Sequence, residues 1–239
     1  MTISIIVPAY NEELTISPVL DAILSRVKNL GEIIVVDDGS TDRTGEICLG
    51  YQASTPIVHY YLLSCNKGKT EALKEGFKRS TGQIVIVQDA DLEYDPRDIN
   101  RVVAPIQDDE ADVVFGSRFQ TRNPIRAFYL GSYLANRLIT FCSNIFTRAR
   151  ISDVETCYKA FRGEIIRHMV ITSRRFGFEV EVAAKIAKLN LRVTEVPISY
   201  NGRSYAEGKK IGIQDGIMAL VYILKYNLFC SKKASFTKF

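Results

Sequence analysis

Only two histidines occur among the 239 residues, His59 in a segment patterned as a strand and His168 in one patterned as a helix. No His-based metal cluster or hydrolase triad can be assembled from them, and no G-x-S-x-G nucleophile elbow offers another route to hydrolysis. The five cysteines, Cys48, Cys65, Cys142, Cys157 and Cys230, form no C-x-x-C pair. Their odd number argues against a disulfide framework and for reduced core thiols in a cytosolic protein. Long hydrophobic runs are missing too. The longest uncharged apolar stretch, residues 217–224, is far short of the roughly 20 residues that a bilayer-spanning helix needs, so no transmembrane span is expected. No basic segment followed by an apolar one precedes the first strand, and no secretory signal is expected. The expected location is cytoplasmic, with peripheral attachment to the cytoplasmic face of a membrane as an option.

Two nucleotide signatures are absent. There is no Rossmann G-x-G-x-x-G, and "NKGKT" at 66–70 ends like a P-loop but carries Leu63 where that motif needs its first glycine. The stretch reads instead as a loop feeding a helix, with Lys67 or Lys69 near a cleft. Strong net charge is lacking as well: 31 basic and 27 acidic side chains leave +4, too little for the broad basic surface of a nucleic-acid binder. Residues 201–239 hold seven of the basic and only two of the acidic side chains. Such a C-terminus suits either an anionic partner, a phosphate group or a membrane surface, or plain solvation.

What is present is alternation. Short β-branched or aromatic runs at 3–7, 33–36, 57–61, 84–87 and 113–115 are separated by helical spacing at 13–28, 42–52, 69–80 and 98–109, with Pro96 placed to open the last of these. Longer helical segments follow at 127–147, 164–168 and 179–189, then a strand near 192–196. The pattern predicts an α/β fold: one domain over 1–230, a Rossmann-like and mostly parallel sheet flanked by helices, and a basic tail over 231–239. In such sheets ligands sit beyond the carboxyl ends of the strands, where the loops 8–12, 37–40, 88–91 and 116–118 would converge.

The loop after the fourth run is the most charged. In "VQDADLEYDP" (87–96) Asp89 and Asp91 have the spacing that turns two carboxylates toward one hard cation, Mg²⁺ or Mn²⁺, the alternative being a solvated turn with Asp95 capping a helix. Of Asp37 and Asp38, one suits a base or ribose hydrogen bond and the other an Asx turn. Arg118 follows the fifth run across a small Gly-Ser and suits a diphosphate, and Arg203, Lys209 and Lys210 stand in a polar loop whose charges suit phosphate groups.

Seven stretches in order, "VPAYNEE", "VVDDGSTD", "NKGKTEAL", "VQDADLEYDP", "VFGSRF", "SDVETCYKAFRGEII" and "EVPISYNGRSYAEGKK", resemble a family 2 glycosyltransferase of the GT-A fold, within it the dolichyl-phosphate mannose synthase and polyprenyl-phosphate glycosyltransferase branch. The resemblance implies metal-dependent, inverting transfer of a sugar from a nucleotide diphosphate donor, GDP-mannose or UDP-glucose, to a polyprenyl phosphate. It further implies that Pro8, Tyr10, Glu12, Val36 and Asp38 contact the nucleoside. Asp89, Asp91 and Glu93, with Ala90 and Lys69 beside them, would hold cation and diphosphate. Arg118, Arg203 and Lys210 would bind phosphate groups.

Thr70 stands where such proteins usually have a second glycine, and the C-terminal transmembrane helices of many of them are missing. In their place Ile213, Ile217, Leu220, Val221, Leu224 and Leu228 repeat at helical spacing, which suits an interfacial helix on an anionic membrane or a core helix with the tail as membrane contact. A phosphate acceptor is already anionic and needs no general base. A saccharide hydroxyl would need one, and Asp153 and Glu155 are the candidates, unless they only position the segment around them. The non-enzymatic alternative is a nucleotide-sugar binding module.

Overall fold

A computed structural model describes residues 1–120, 130–175, 177–202 and 213–238. Arg203, Lys209 and Lys210 lie outside the described residues. The first half alternates as expected: β1 (Ile3–Ala9), α1 (Ile16–Arg26), β2 (Leu30–Asp37), α2 (Thr44–Ser54), β3 (Val58–Leu62), α3 (Lys69–Arg79), β4 (Ile84–Val87), α4 (Ile99–Gln107) and β5 (Val113–Ser117). The second half holds α5 (Leu130–Thr147), β6 (Lys159–Arg162), α6 (Gly163–His168), α7 (Phe178–Ile186), β7 (Val193–Pro197), α8 (Ile213–Leu228) and the short α9 (Lys232–Ser235). Pro96 does open a helical turn, a 3₁₀ turn that runs into α4, and the Asp95 side chain caps it by accepting from the Arg97 amide.

The strands form one sheet in the order β3-β2-β1-β4-β6-β5-β7. All pairs are parallel except those of β6, which runs antiparallel between β4 and β5. The sequence pattern does not reveal β6, whose four residues include a charge at each end. The central strands are near-continuous apolar runs, buried on both faces as parallel strands between helix layers must be. Helix α3 lies close against β1 because residue 76 is glycine: a Cβ there would sit 2.3 Å from Ile6 Cγ2.

Helix α7 is buried along its whole length although it carries Glu179, Glu181 and Lys185. Glu181 and Lys185 form an ion pair inside the protein. Glu181 also accepts from the amides of Thr172 (2.8 Å) and Ser173 (2.7 Å), and Lys185 donates to the Val170 carbonyl. Every charge on that pair is thus met by a backbone group or by its partner, as interior charges require. The pair binds α7 to the irregular strap 170–175, which leads to the site.

Helices α5 and α8 pack beside α7. Inward, α8 buries Ala219, Ile223 and Tyr226, and α5 buries Ile139, Thr140 and Ser143. Outward, both are apolar as well: Leu134, Leu138, Phe141 and Ile145 on α5, and Ile217, Val221, Leu224 and Leu228 on α8, are exposed at the same helical spacing. Helix α8 therefore has a core face and an exposed apolar face together. The tail folds back: Phe236 is buried and bridges to Met169, while Lys232 and Lys233 stay exposed. Among the described residues no helix is long and apolar enough to cross a membrane.

Candidate active site

Beyond the carboxyl ends of β1, β2 and β4 lies a cavity of about 320 Å³. The four loops anticipated from the sequence do meet there: Pro8, Tyr10 and Glu12 from the first, Asp38 from the second, Asp89, Ala90, Asp91 and Glu93 from the third and Arg118 from the fourth all line it, together with Lys69. Val36 does not reach the wall, being fully buried within β2. Asp153 does not reach it either, lying wholly buried beneath Arg118.

The acidic turn takes its shape from Gln88, whose side-chain amide donates to the carbonyls of Asp89 (2.9 Å) and Tyr94 (3.3 Å), and from Leu92 in the left-handed region at φ 59°. Its carboxylates do not converge on one point. Asp89 is paired with Lys69 at 2.8 Å, and Glu93 accepts from the Tyr200 hydroxyl at 2.8 Å. Asp91 stays at the wall and accepts from the Glu93 amide at 3.2 Å. Among the described residues, no three His, Cys, Asp or Glu side chains are grouped to hold a metal ion by themselves. That donor set still suits a hard divalent cation, because Mg²⁺-type sites use one or two carboxylates and complete their shell with substrate phosphates and water.

Asp37 makes the Asx turn, accepting from the Ser40 amide at 2.7 Å and the Tyr60 hydroxyl at 2.9 Å. Asp38 clamps the 66–68 loop through the amides of Lys67 and Gly68, both at 2.7 Å. Burial pushes the Asp38 carboxyl above its ordinary pKa, against the pull of those two amides. Gly68 has φ 94° and lies against Arg175, where a Cβ would stand 2.9 Å from the Arg175 Cα. Thr70 has a definite function: its amide (3.1 Å) and hydroxyl (2.7 Å) both donate to the Arg175 carbonyl, holding the strap to the start of α3. Thr70→Val, which deletes one of these two bonds at constant shape, is expected to lower stability by about 1 kcal/mol. Urea unfolding measures it, and an unchanged midpoint would contradict this role.

Lys69 is the hinge of the charge arrangement, reaching Asp89 at 2.8 Å and Glu179 at 3.5 Å. Burial works against its charge, but Asp89 and Glu179 together hold the ammonium well above the usual lysine range. Arg118, 6% exposed, is gripped by Asp153 through two bonds, Nε to Oδ2 at 2.6 Å and Nη2 to Oδ1 at 2.7 Å. It also lies over the Tyr200 ring at 5.0 Å. The sequence reading made Asp153 a candidate general base; the geometry makes it the partner that orients Arg118. Such a bidentate pair fixes the guanidinium plane, and both oxygens of Asp153 are taken up in it.

The sequence reading did not single out Arg175, Glu179 or Tyr200, all of which line the cavity. Two acidic residues in the apolar segment that became α7 were a usable signal for Glu179. Nothing local marked Arg175, which owes its position to the Gly68 approach and to its own φ of 56°.

Against known proteins, the profile of glycosyl transferase family 2 matches residues 4–170. The chain is 32% identical over 227 residues to the undecaprenyl-phosphate 4-deoxy-4-formamido-L-arabinose transferase of Edwardsiella ictaluri, covering 93% of this chain but 65% of that longer protein. It is 28% identical over 232 residues to an uncharacterized protein of Methanocaldococcus jannaschii, covering 95% and 93% of the two chains. Among solved structures, glucosyl-3-phosphoglycerate synthase of Mycobacterium tuberculosis, in complex with Mn²⁺, UDP-glucose and phosphoglyceric acid, superposes with a TM-score of 0.74 at 20% identity, over 94% of this chain and 79% of that one. The seven-stranded sheet with its helix layers has the GT-A architecture of that enzyme. With the family profile covering well over half of its length and the expected loops meeting at one cavity, the chain belongs to glycosyl transferase family 2 and is a glycosyltransferase.

Proposed function

We propose that this glycosyltransferase moves a sugar from a nucleotide diphosphate donor to a polyprenyl phosphate. The observation that carries the donor half is the wall of the cavity, where acidic Asp89 and Asp91 face basic Lys69, Arg118 and Arg175. An anionic diphosphate needs both kinds of group: cations of the protein on its oxygens, and carboxylates to hold the counter-cation it carries. Pro8, Tyr10, Glu12 and Asp38 form the nucleoside end in this reading. Arg203 and Lys210, outside the described residues, remain proposed phosphate ligands. GDP-mannose and UDP-glucose are the donors to try.

Asp91, with Asp89 and Glu93 adjacent, would hold Mg²⁺ or Mn²⁺. When bound, that cation would supply Lewis-acid neutralisation of the departing diphosphate. Arg118, fixed by Asp153, stabilises the same negative charge as the bond from anomeric carbon to diphosphate oxygen breaks. Lys69 keeps Asp89 oriented and balances Glu179. A phosphate oxygen of the acceptor attacks the opposite face of the anomeric carbon, forming the new bond with inversion. That oxygen is anionic at neutral pH, so no side chain has to remove a proton.

The acceptor half is supported by the paired apolar stripes of α5 and α8, with Lys225, Lys232 and Lys233 exposed nearby. An apolar face edged with lysines suits the surface of an anionic membrane, in which a polyprenyl chain resides. The Edwardsiella relative, named for undecaprenyl phosphate, supports the same acceptor class. Peripheral attachment at the cytoplasmic face follows in this reading.

The test incubates the full chain with Mn²⁺ or Mg²⁺, polyprenyl phosphate in anionic vesicles, and labelled GDP-mannose or UDP-glucose. The expected result is label in the organic phase that chelator abolishes. Label appearing only in a water-soluble saccharide would overturn the acceptor, and nucleotide binding without transfer to either would return the protein to the binding-module alternative.

A further inference from the structure

The cavity has an end for which the diphosphate gives no explanation. There Glu155, from the segment between α5 and β6, and Glu179, from the first turn of α7, both reach the wall. Glu155 Oε1 and Glu179 Oε2 are buried atoms without a hydrogen-bond partner among the described residues. Glu179 is 5% exposed. Among the other described residues no buried carboxylate oxygen lacks a partner: Glu181 is met by two amides and Lys185, Asp153 by Arg118 and Asn136. A buried acceptor left empty costs about 1–3 kcal/mol, so two at one wall of one cavity call for a ligand that donates to them.

Charge narrows what the ligand is. Phosphate oxygens are excluded, since they accept rather than donate and would be repelled by the two carboxylates. A cationic group gains little, because Lys69 stands 3.5 Å from Glu179 and Lys159 and Arg118 already act electrostatically on Glu155. Burial, with Glu179 as the next cause, pushes the Glu155 carboxyl above its ordinary range, so the cluster has no room for further negative charge. What remains is a neutral group rich in hydroxyls.

Resting on the proposed donor site, we infer that Glu155 and Glu179 form the subsite for the transferred sugar, accepting hydrogen bonds from its ring hydroxyls and so selecting which sugar is moved. The placement agrees with the rest of the cavity. Lys69 links Glu179 to Asp89, so the subsite adjoins the diphosphate end, as the glycosyl group of a nucleotide sugar must. Two acceptors on one wall discriminate between epimers: an inverted hydroxyl leaves one carboxylate buried and unpaired, a stronger basis for rejection than a mismatch in an apolar pocket.

The test is calorimetric titration of the full chain, with Mn²⁺ present, using a nucleoside diphosphate and the matching nucleotide sugar, for wild type, Glu155→Gln and Glu179→Gln. The subsite requires each variant to bind the nucleoside diphosphate within about twofold of wild type yet bind the nucleotide sugar roughly 10- to 100-fold more weakly, the span of one hydrogen bond to a charged group. Glu155→Gln should also unfold no earlier than wild type, because it removes an unmet buried carboxylate. Equal weakening of both ligands, or a lowered melting temperature in Glu155→Gln, would mean a structural role and overturn the subsite. Undiminished affinity for the nucleotide sugar would overturn it outright. Failure of the wild type to bind any nucleoside diphosphate would bring down the donor reading first and the subsite with it.

Discussion

Asp91→Ala is expected to lower kcat/KM for glycosyl transfer about a thousand-fold while leaving the melting temperature within a few degrees of wild type. The first half follows from chemistry: holding a divalent ion against a departing diphosphate contributes several kcal/mol, and about 1.4 kcal/mol is a factor of ten in rate. The second half follows from position. Asp91 sits at the cavity wall, in a turn whose shape is set by the Gln88 amide donating to the carbonyls of Asp89 and Tyr94, so the turn does not depend on this carboxylate to hold together. Asp89 is the instructive contrast. Its carboxylate is the partner of a buried lysine, and Asp89→Ala would lose stability as well as rate. The measurement is a steady-state assay with and without chelator. Wild type should fall to the level of the variant when the metal is removed, and the variant should no longer respond to chelator. Activity within threefold of wild type would end the metal-holding role of Asp91.

The contrast between Asp89 and Asp91 shows how far the residues spoke for themselves. The strands β1, β2 and β4 were legible because a parallel strand buried on both faces is written as an unbroken apolar run, and the loops that follow such strands have to meet at one edge. Strand β6 was not, because its Lys159 reads as a solvent residue. In the fold Lys159 is fully buried, its ammonium on the Thr156 carbonyl and 5.2 Å from the Phe115 ring, with burial pulling its pKa down. The D-x-D spacing announced two carboxylates but not their division of labour, which depends on Lys69, twenty positions away and brought in by α3. Glu179 was obscured for a similar reason: an acidic residue in an apolar helix is ordinary until its neighbours among the described residues are known to leave one of its oxygens without a hydrogen bond. Pair geometry across elements is the part that one-dimensional pattern does not encode.

The largest stability effect is expected at another such pair. Asp153→Ala removes the bidentate partner of Arg118 in the interior, and breaking a buried pair from one side costs about 3–5 kcal/mol. At this chain length that is a fall in melting temperature of about 10 °C, since each kcal/mol shifts it by roughly 2–4 °C. Transfer should be lost as well, because the two bonds by which Asp153 fixes the guanidinium plane are gone. A single substitution therefore does not separate stability from catalysis, but a double one does. In Arg118→Met/Asp153→Asn the interior charge is gone from both sides, and the single asparagine oxygen can still accept from one of the two donors that Asp153 meets with separate oxygens, the backbone amide of residue 118 on Oδ2 or Asn136 on Oδ1. The double variant should recover most of the lost melting temperature, as uncharged replacements of buried pairs do. It should stay inactive, since methionine places no cation on the diphosphate. A single variant as stable as wild type would show that the pair is not energetically coupled. A double variant as active as wild type would remove Arg118 from the transfer step and leave the negative charge of the leaving group to the cation and the other basic residues of the site.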